Sequence, residues 1–389
     1  MDIETLKELL INETSLFTSV KPEIVEIGDG NINRVFRATS SSGQTYVIKY
    51  ASSQANISNS IRLNKERGRI ESAYLKEIGR YLPMYVPAVL SYSEKNHYII
   101  MQDLSLWYNV LQQELAVGKQ FDFLAHQLAE YVAVAGYSFS DFSLPVEKKA
   151  ALQKQFSNPE LCELTEQLVF TEPFFDCPNN SFSEKNRTFV NREIYRNMDI
   201  ANAAKQLKDI FMHDSQSLIH GDLHFGSIFV SETDIKVFDP EFCFFGPIGY
   251  DLGNLLAHFL LQFAYHAAIK KNGNLPFCAW LRTQALCLLE AFEKRFLELV
   301  SGSIEPGEKK QATHDVLRKV LCHTAGYAGT ECIRRIIGLA KVNAFVFNSE
   351  AEKAQYEICA LSIGKHLLEK YKTFTTVHAF EESFNSLLR

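Results

Sequence analysis

The chain has 389 residues, which is too long for one ordinary hydrophobic core and favours two domains or lobes. With 46% hydrophobic and 22% charged residues it has a globular composition, which excludes disordered, collagen-like and coiled-coil classes. The net charge of −6 gives no electrostatic reason to expect a nucleic-acid or anionic-membrane partner. We therefore predict a folded protein with neither kind of partner.

The first hundred residues have the pattern of a β-rich lobe. Four β-prone runs predict strands at 35–39, 44–49, 86–92 and 97–101. The first two flank Ser40–Gly43, which predicts a hairpin. Residues 61–82 place apolar side chains mostly at three- and four-residue steps, as in a long amphipathic helix. We therefore predict an N-terminal lobe over residues 1–103 that carries one helix.

From residue 104 to residue 389 the pattern is mostly helical. The exception is a predicted hairpin, in which residues 228–230 and 235–238 flank a polar turn. The loops expected in this part are residues 171–191 and 301–311. The two halves together predict an α+β fold, with a β-rich N-terminal lobe and a mostly α-helical C-terminal lobe.

One apolar stretch, residues 252–269, contains no Asp, Glu, Lys or Arg over about the length at which a membrane span becomes possible. Its polar residues recur every fourth position and draw a stripe along one side of a helix, namely Asn254, His258, Gln262 and His266. We therefore predict a buried helix whose histidines are hydrogen-bonded and do not bind a metal.

The cysteines and the N-terminus bear on the compartment. The eight cysteines form no CxxC pair and no dense cluster, so neither a zinc site nor a disulfide framework is predicted. Residues 1–10 alternate acidic and apolar side chains and lack the pattern of a secretory signal. Reduced thiols in a cytoplasmic protein are the expectation.

The densest chemical signal is the stretch 218–230 followed by 236–241. Asp222 lies in a glycine-containing loop before the predicted hairpin, and Asp239 and Glu241 follow it. This order would place three carboxylates at one end of the hairpin. Because such charges stay ionised close together only when a cation neutralises them, the pattern predicts Mg²⁺ and phosphate chemistry.

Two residues of the first lobe extend this signal. Lys49 ends a predicted strand, and Glu71 lies on the following helix. In eukaryotic-like protein kinases the parts occur in this order, with a lysine on the nucleotide phosphates, a helix glutamate on the lysine and an aspartate on the substrate hydroxyl. Glu66 on the same helix is a rival to Glu71, and apolar neighbours favour Glu71.

Five runs resemble the S-methyl-5-thioribose kinases, over about residues 24 to 340. They are Gly28–Asn33, His220–His224 with Gly226–Ile228, Asp239–Phe242, Gly246–Asp251 and Ile333–Gly338. The resemblance implies the bilobal protein-kinase-like fold shared with aminoglycoside and choline kinases. It also implies a homodimer that uses ATP to phosphorylate C1 of the small sugar methylthioribose, in methionine salvage.

The same resemblance implies a set of site residues. Asp222 matches the catalytic and substrate-binding aspartate. The metal and nucleotide motif is matched by Asp239, Pro240 and Glu241, with Asp239 and Glu241 as metal ligands. Further nucleotide contacts are Lys49, either Asn31 or Asn33, and the connecting segment Gln102, Asp103 and Leu104. The paired arginines near the sugar are Arg334 and Arg335.

Two departures from protein kinases are informative, namely Ser227 and the triplet Asp239-Pro240-Glu241 in place of Asp-Phe-Gly. Five residues after Asp222, where kinases generally carry an asparagine metal ligand, this chain has Ser227. A hydroxyl is a poorer Mg²⁺ ligand than a carboxylate, so Glu241 must supply what the asparagine would. Both features belong to the methylthioribose kinase pattern. His224 is expected to make a loop-stabilising hydrogen bond and not to act as a general base.

Two alternative functions stay open. One is another small-molecule kinase of the same fold, acting on aminoglycosides, choline or homoserine. Such cationic substrates call for an acidic or aromatic recognition site, and the arginine pair points the other way. The second is a catalytically silent ATP-binding scaffold. The presence of Lys49, Asp222, Asp239 and Glu241 argues against it.

Overall fold

The computed structural model describes residues 2–17, 22–28, 33–51, 64–269, 274–302 and 310–388. The chain divides into two units. The first unit is Met1–Tyr108 with Lys236–Phe242, and the second is Asn109–Ile235 with Cys243–Arg389. The sequence analysis instead assigns residues 104–108 and 236–242 to the C-terminal lobe.

The first unit is built on a five-stranded antiparallel sheet with the strand order β1-β2-β3-β5-β4. Its strands are β1 (Glu23–Gly28), β2 (Asn33–Thr39), β3 (Thr45–Ala51), β4 (Val89–Ser93) and β5 (Tyr98–Gln102). Its helices are α1 (Ile3–Glu13) and α2 (Arg67–Ile78). The β-rich character predicted for this part of the chain is therefore confirmed.

Helix α1 packs on one face of this sheet. Asp2 caps the helix by accepting a hydrogen bond from the Thr5 N–H at 2.9 Å. Leu6 and Leu10 are fully buried in one apolar cluster with the sheet residues Phe36 and Ile48. Alternate residues of a strand point to opposite faces, so this packing leaves Lys49 and its alternate neighbours for the other face.

The predicted hairpin is confirmed, because β2 and β3 pair in register from Asn33↔Ala51 to Thr39↔Thr45. The predicted helix over 61–82 is shorter than expected. Residues 61–63 lie outside the described residues, and α2 ends at Ile78. Beyond it the chain makes tight turns, in which the Leu82 N–H bonds to the Ile78 carbonyl.

The segment 236–242 joins the first unit through hydrogen bonds to the chain before β4. The Lys236 ammonium donates to the Met84 carbonyl at 2.5 Å. The Val237 N–H donates to the Tyr85 carbonyl at 2.7 Å. These contacts hold in the first unit the short stretch that carries the second acidic motif.

The second unit is mostly helical, which confirms the predicted class. Its longer helices are α4 (Leu124–Ser138), α8 (Met198–His213), α9 (Ile248–Ala268), α10 (Asn274–Ser301), α11 (Lys310–Ile337) and α12 (Glu350–Lys370). Its shorter helices are α3 (Leu111–Ala116), α5 (Val146–Gln155), α6 (Pro159–Thr165), α7 (Arg187–Val190) and α13 (Val377–Leu387). The predicted loop at 171–191 contains α7 and two 3-10 turns, Glu172–Phe174 and Glu184–Asn186. Most of the loop predicted at 301–311 lies outside the described residues.

Short strands interrupt this helical unit. They are β6 (Asn109–Val110), β7 (Ser217–Ile219), β8 (Ile228–Val230), β9 (Ile235–Val237) and β10 (Phe244–Gly246), and the boundary between the units falls within β9. The predicted pair of strands is present as β8 and β9, and the Ser231 N–H closes their turn on the Asp234 carbonyl at 2.9 Å. The sequence analysis missed β6, β7 and β10, which have only two or three residues each.

Helix α9 is the buried helix that the polar stripe predicts. His258 and His266 are both buried and hydrogen-bonded, the latter to the Leu115 carbonyl at 2.9 Å. Among the described residues, we find no helix with the length and apolar character that crossing a membrane requires. All eight cysteines carry free thiols.

Helices α9 and α11 approach closely where glycines face the partner helix. A Cβ atom on Gly253 would lie 2.8 Å from the Thr324 carbonyl oxygen and 2.8 Å from the Tyr327 Cβ atom. Most of these neighbours are backbone or Cβ atoms, which cannot rotate away. Because Gly253 has no side chain, α9 and α11 can pack this closely. The contact therefore sets the distance between α9 and α11, the helix that carries the predicted arginine pair.

We predict that Gly253→Ala lowers the free energy of unfolding by about 1–3 kcal/mol, because the added methyl group overpacks this contact. Urea denaturation would measure the change. The control is Gly302→Ala, where the nearest atoms to the new Cβ lie 3.6 and 3.7 Å away. Equal stability of the two variants would contradict the prediction.

Candidate active site

Four charged residues that the sequence analysis singled out lie near each other in the first unit. The Lys49 ammonium on β3 pairs with the Glu71 carboxylate on α2 at 2.7 Å, and with Asp239. Glu71, Asp239 and Glu241 each offer an oxygen, and these atoms lie within 4.8 Å of one another. Glu66 instead pairs with Arg69 at 2.8 Å. The structure thus brings Glu71, and not its rival Glu66, to the lysine.

The charges of this cluster are strongly coupled. Burial opposes the charged form of Lys49, but the carboxylates of Asp239, Glu71 and Glu241 outweigh it and raise the pKa of the lysine. Burial, with the neighbouring carboxylates, raises the pKa of Glu71 to about 8. Burial also raises the pKa of Glu241. The raised pKa values of these acids show that Lys49 alone cannot compensate all three carboxylates when they are ionised.

Arg67 is a further member of this cluster that the sequence analysis missed. It is buried on α2, its Nε lies 3.2 Å from Glu241 Oε2, and it donates to Asn33 Oδ1 at 2.8 Å. The Asn33 amide in turn donates to Glu241 at 2.9 Å. Arg67 precedes Glu71 by one helical turn, and this spacing was the signal available in the sequence. Asn31 lies outside the described residues.

The acidic motif itself has an unusual backbone. Asp239 has φ of +68°, a left-handed conformation that is uncommon for residues other than glycine. It precedes Pro240, which restricts the conformation of Asp239 further. Backbone strain of this kind is concentrated at functional sites. Here it accompanies a side chain that pairs with Lys49 and remains 42% exposed.

The connecting segment is held by its own side chains. Asp103 is buried and accepts hydrogen bonds from Arg37 at 2.8 Å and from the Ser105 N–H at 3.0 Å. The Leu104 carbonyl accepts from the N–H groups of Trp107 and Tyr108. The Gln102 N–H donates to the Ala88 carbonyl at 2.9 Å. The predicted nucleotide contacts of Gln102, Asp103 and Leu104 stay predictions.

The loop that carries Asp222 lies in the second unit and is held by buried polar groups. Gly221 has φ of +82°, which a residue with a Cβ rarely adopts. Asp251 on α9 accepts from the His220 N–H at 2.7 Å and the Gly221 N–H at 3.1 Å. Burial, opposed by these N–H groups, raises the pKa of Asp251 to about 7.

Ser227 and His224 close the same loop. The Ser227 hydroxyl lies 3.1 Å from the Asp222 carbonyl and 2.8 Å from the His224 carbonyl, and accepts from the His224 N–H. The His224 ring accepts from the Gly226 N–H at Nδ1, at 2.9 Å. The predicted loop-stabilising hydrogen bond of His224 is therefore confirmed. Because Nδ1 accepts, the ring proton is on Nε2, 3.4 Å from Asp222 Oδ2.

The arginine pair lies against Asp222. Arg334 Nη2 is 3.2 Å from Asp222 Oδ1, and Arg335 Nη2 is 3.7 Å from the same oxygen. Burial opposes ionisation of Asp222, but His224 and the two arginines outweigh it and hold the pKa of this carboxyl well below its usual range. Asp222 is therefore ionised at neutral pH and able to accept hydrogen bonds.

Known proteins resemble the chain over most of its length. The phosphotransferase enzyme family (APH) matches residues 23–268. The methylthioribose kinase of Bacillus velezensis is 36% identical to this chain, over 89% of this chain and 86% of its own length. That of Geobacillus kaustophilus is also 36% identical, over 92% of this chain and 90% of its own length. The chain belongs to the methylthioribose kinase family. A choline kinase structure from Cryptosporidium parvum Iowa II, at 14% identity, covers 100% of this chain and 99% of its own with a TM-score of 0.47.

A second site residue that the sequence analysis missed is Glu331. It is fully buried on α11 and accepts hydrogen bonds from both arginines, at 2.7 Å in the case of Arg335. It precedes them by three and four residues, which places all three on one helical face. This Glu-x-x-Arg-Arg spacing was visible in the sequence but was not used.

We predict that Asp251→Ala destabilises this kinase by about 1–3 kcal/mol for each backbone N–H group that loses its acceptor. The groups concerned are those of His220 and Gly221. Urea denaturation would measure the loss. Asp251→Asn keeps one acceptor oxygen and should lose less. An alanine variant as stable as the natural protein would contradict the prediction.

Proposed function

We propose that the protein transfers the γ-phosphoryl group of ATP to C1 of S-methyl-5-thioribose, giving S-methyl-5-thioribose 1-phosphate in methionine salvage. Membership of the methylthioribose kinase family supports this reaction. The observation that carries the proposal is an ionised Asp222 flanked by Arg334 and Arg335. This arrangement suits a neutral, hydroxyl-rich acceptor that becomes a phosphate ester.

In this proposal the first unit holds Mg·ATP. Asp239 and Glu241 supply carboxylate oxygens, the ligands that Mg²⁺ prefers, and their excess negative charge fits a divalent cation. When bound, Mg²⁺ neutralises charge on the phosphates. Lys49 offsets further phosphate charge, and Glu71 keeps Lys49 extended. Contacts of ATP with Asn31 or Asn33, Pro240 and the connecting segment belong to the same proposal.

The second unit holds the sugar and takes its proton. Asp222 orients the acceptor hydroxyl and accepts its proton as the new oxygen–phosphorus bond forms. The bond between the γ-phosphorus and the oxygen bridging to the β-phosphate breaks, and ADP leaves. Arg335 Nη2 makes no hydrogen bond to the described residues, so this donor is available to the sugar or the transferred group. The homodimer and the cytoplasmic location stay predictions.

The substrate is tested with the purified protein and Mg·ATP, by measuring ADP release in a coupled assay with an EDTA blank. We expect rapid ATP consumption with methylthioribose and hardly any with kanamycin, choline or homoserine. Equal activity on all four would refute the substrate assignment. No activity on any of them would favour the silent ATP-binding scaffold.

The role of Asp222 is tested with Asp222→Asn. We expect turnover to fall by about 10²–10⁴-fold, because the amide cannot accept the proton. ATP binding, measured by calorimetry, should be unchanged. Asp122→Asn makes the same chemical change at an exposed position and should retain full turnover. Full turnover by the Asp222 variant would refute the proton-acceptor role.

A further inference from the structure

We infer that Glu331 is a positioning residue for the acceptor site, acting on Asp222 through Arg334 and Arg335. The inference rests on the proposed function, because it concerns the binding of the sugar. Glu331 is fully buried and lies one helical turn before the arginines on α11. A buried carboxylate at this place costs desolvation free energy unless it is paired, so its partners are the clue to its role.

The contacts of Glu331 with the arginines are directional. Its Oε2 accepts from Arg334 Nε, and its Oε1 accepts from Arg334 Nη2 at 3.1 Å. Two parallel bonds of this kind fix the plane of a guanidinium group. The same Oε1 accepts from Arg335 Nε at 2.7 Å. Both arginines are therefore held by their Nε edges, and their Nη2 atoms are directed toward Asp222 at 3.2 and 3.7 Å.

Glu331 also balances the charges of the buried arginine pair. Without Glu331, two buried guanidinium groups would share Asp222 as their close carboxylate partner. With it, two positive and two negative charges alternate. Burial opposes ionisation of Glu331, but Arg334 and Arg335 outweigh it and hold its pKa well below the usual range. Glu331 thus offsets the charge that would otherwise draw both arginines onto Asp222.

A second path links Glu331 to the other oxygen of Asp222. His258 Nε2 lies 3.2 Å from Glu331 Oε1, and because an ionised carboxylate oxygen can only accept, Nε2 is the donor. Burial lowers the pKa of His258 to about 3. The His258 ring stacks on the His224 ring, with centroids 5.3 Å apart and planes at 20°. His224 Nε2 faces Asp222 Oδ2. Both carboxylate oxygens of Asp222 are therefore positioned by groups that Glu331 contacts or supports.

The decisive variant is Glu331→Asp, which keeps the charge but withdraws it by one methylene group. A shift of about 1 Å in a positioning group can cost about 10²-fold in rate, so we expect kcat/KM for methylthioribose to fall by about 10- to 100-fold. The KM for ATP should stay within about twofold of the natural value, because Glu331 contacts the arginines of the acceptor site and not the Lys49 cluster. Glu331→Gln removes the charge and should lose more.

Two comparisons separate positioning from a general structural role. Glu357→Gln removes another buried carboxylate, on α12, which accepts from the Ser183 N–H and from Asn186. We expect this control to lower stability and to leave the KM for the sugar unchanged. In the double variant Glu331→Asp, Arg334→Lys, the loss should be smaller than the product of the single losses, because both act through one guanidinium group.

The inference is overturned if folded Glu331→Asp has the natural kcat/KM for the sugar, or if the two losses multiply. If the natural protein does not phosphorylate methylthioribose, the proposed function fails, and the variants are scored with the acceptor that is turned over. If no acceptor is turned over, the inference is tested by NMR on the ¹⁵Nε–H signals of Arg334 and Arg335. We expect both to be protected from exchange in the natural protein and to shift in Glu331→Asp, and their absence or constancy refutes the inference.

Discussion

Lys49 carries a positive charge into a nearly closed environment, where an isolated ammonium group would lose most of its hydration. It is stable there because Glu71, Asp239 and Glu241 converge on it. Those acids then exceed the lysine in charge, and Arg67 supplies only part of the difference. The requirement that buried charges be compensated therefore explains the internal pairing of this cluster and supports the proposed Mg²⁺ site.

The second unit meets the same requirement by different means. In this unit the charges that need compensation are positive, because α11 buries Arg334 and Arg335 side by side. The carboxylates of Asp222 and Glu331 compensate these two guanidinium groups. The Glu331 carboxylate donates no hydrogen bond, and its proposed role needs no contact with the substrate. Its function follows from geometry, since it holds both guanidinium groups at Nε while their Nη2 atoms lie near Asp222.

Much of the first-unit cluster was predictable, because its members are marked by local patterns. Lys49 lies near the end of a strand with a clear β pattern, and Asp239 and Glu241 directly follow a hairpin. Arg67 and Glu331 were missed for a common reason. Arg67 was interpreted as part of an amphipathic helix, where charged residues usually face solvent, and Glu331 lay in a stretch predicted only as helical. Only tertiary packing shows that both are buried.

The sequence by itself determined the α+β class, the order of the chemical parts and the family resemblance, because these depend on local periodicity and on short motifs. Only the tertiary structure decided that Glu71 rather than Glu66 meets Lys49, that residues 236–242 belong to the first unit, and that Glu331 holds the arginines. The physical reason is that burial and charge pairing are set by residues distant in the chain, and no local pattern encodes which of them come together.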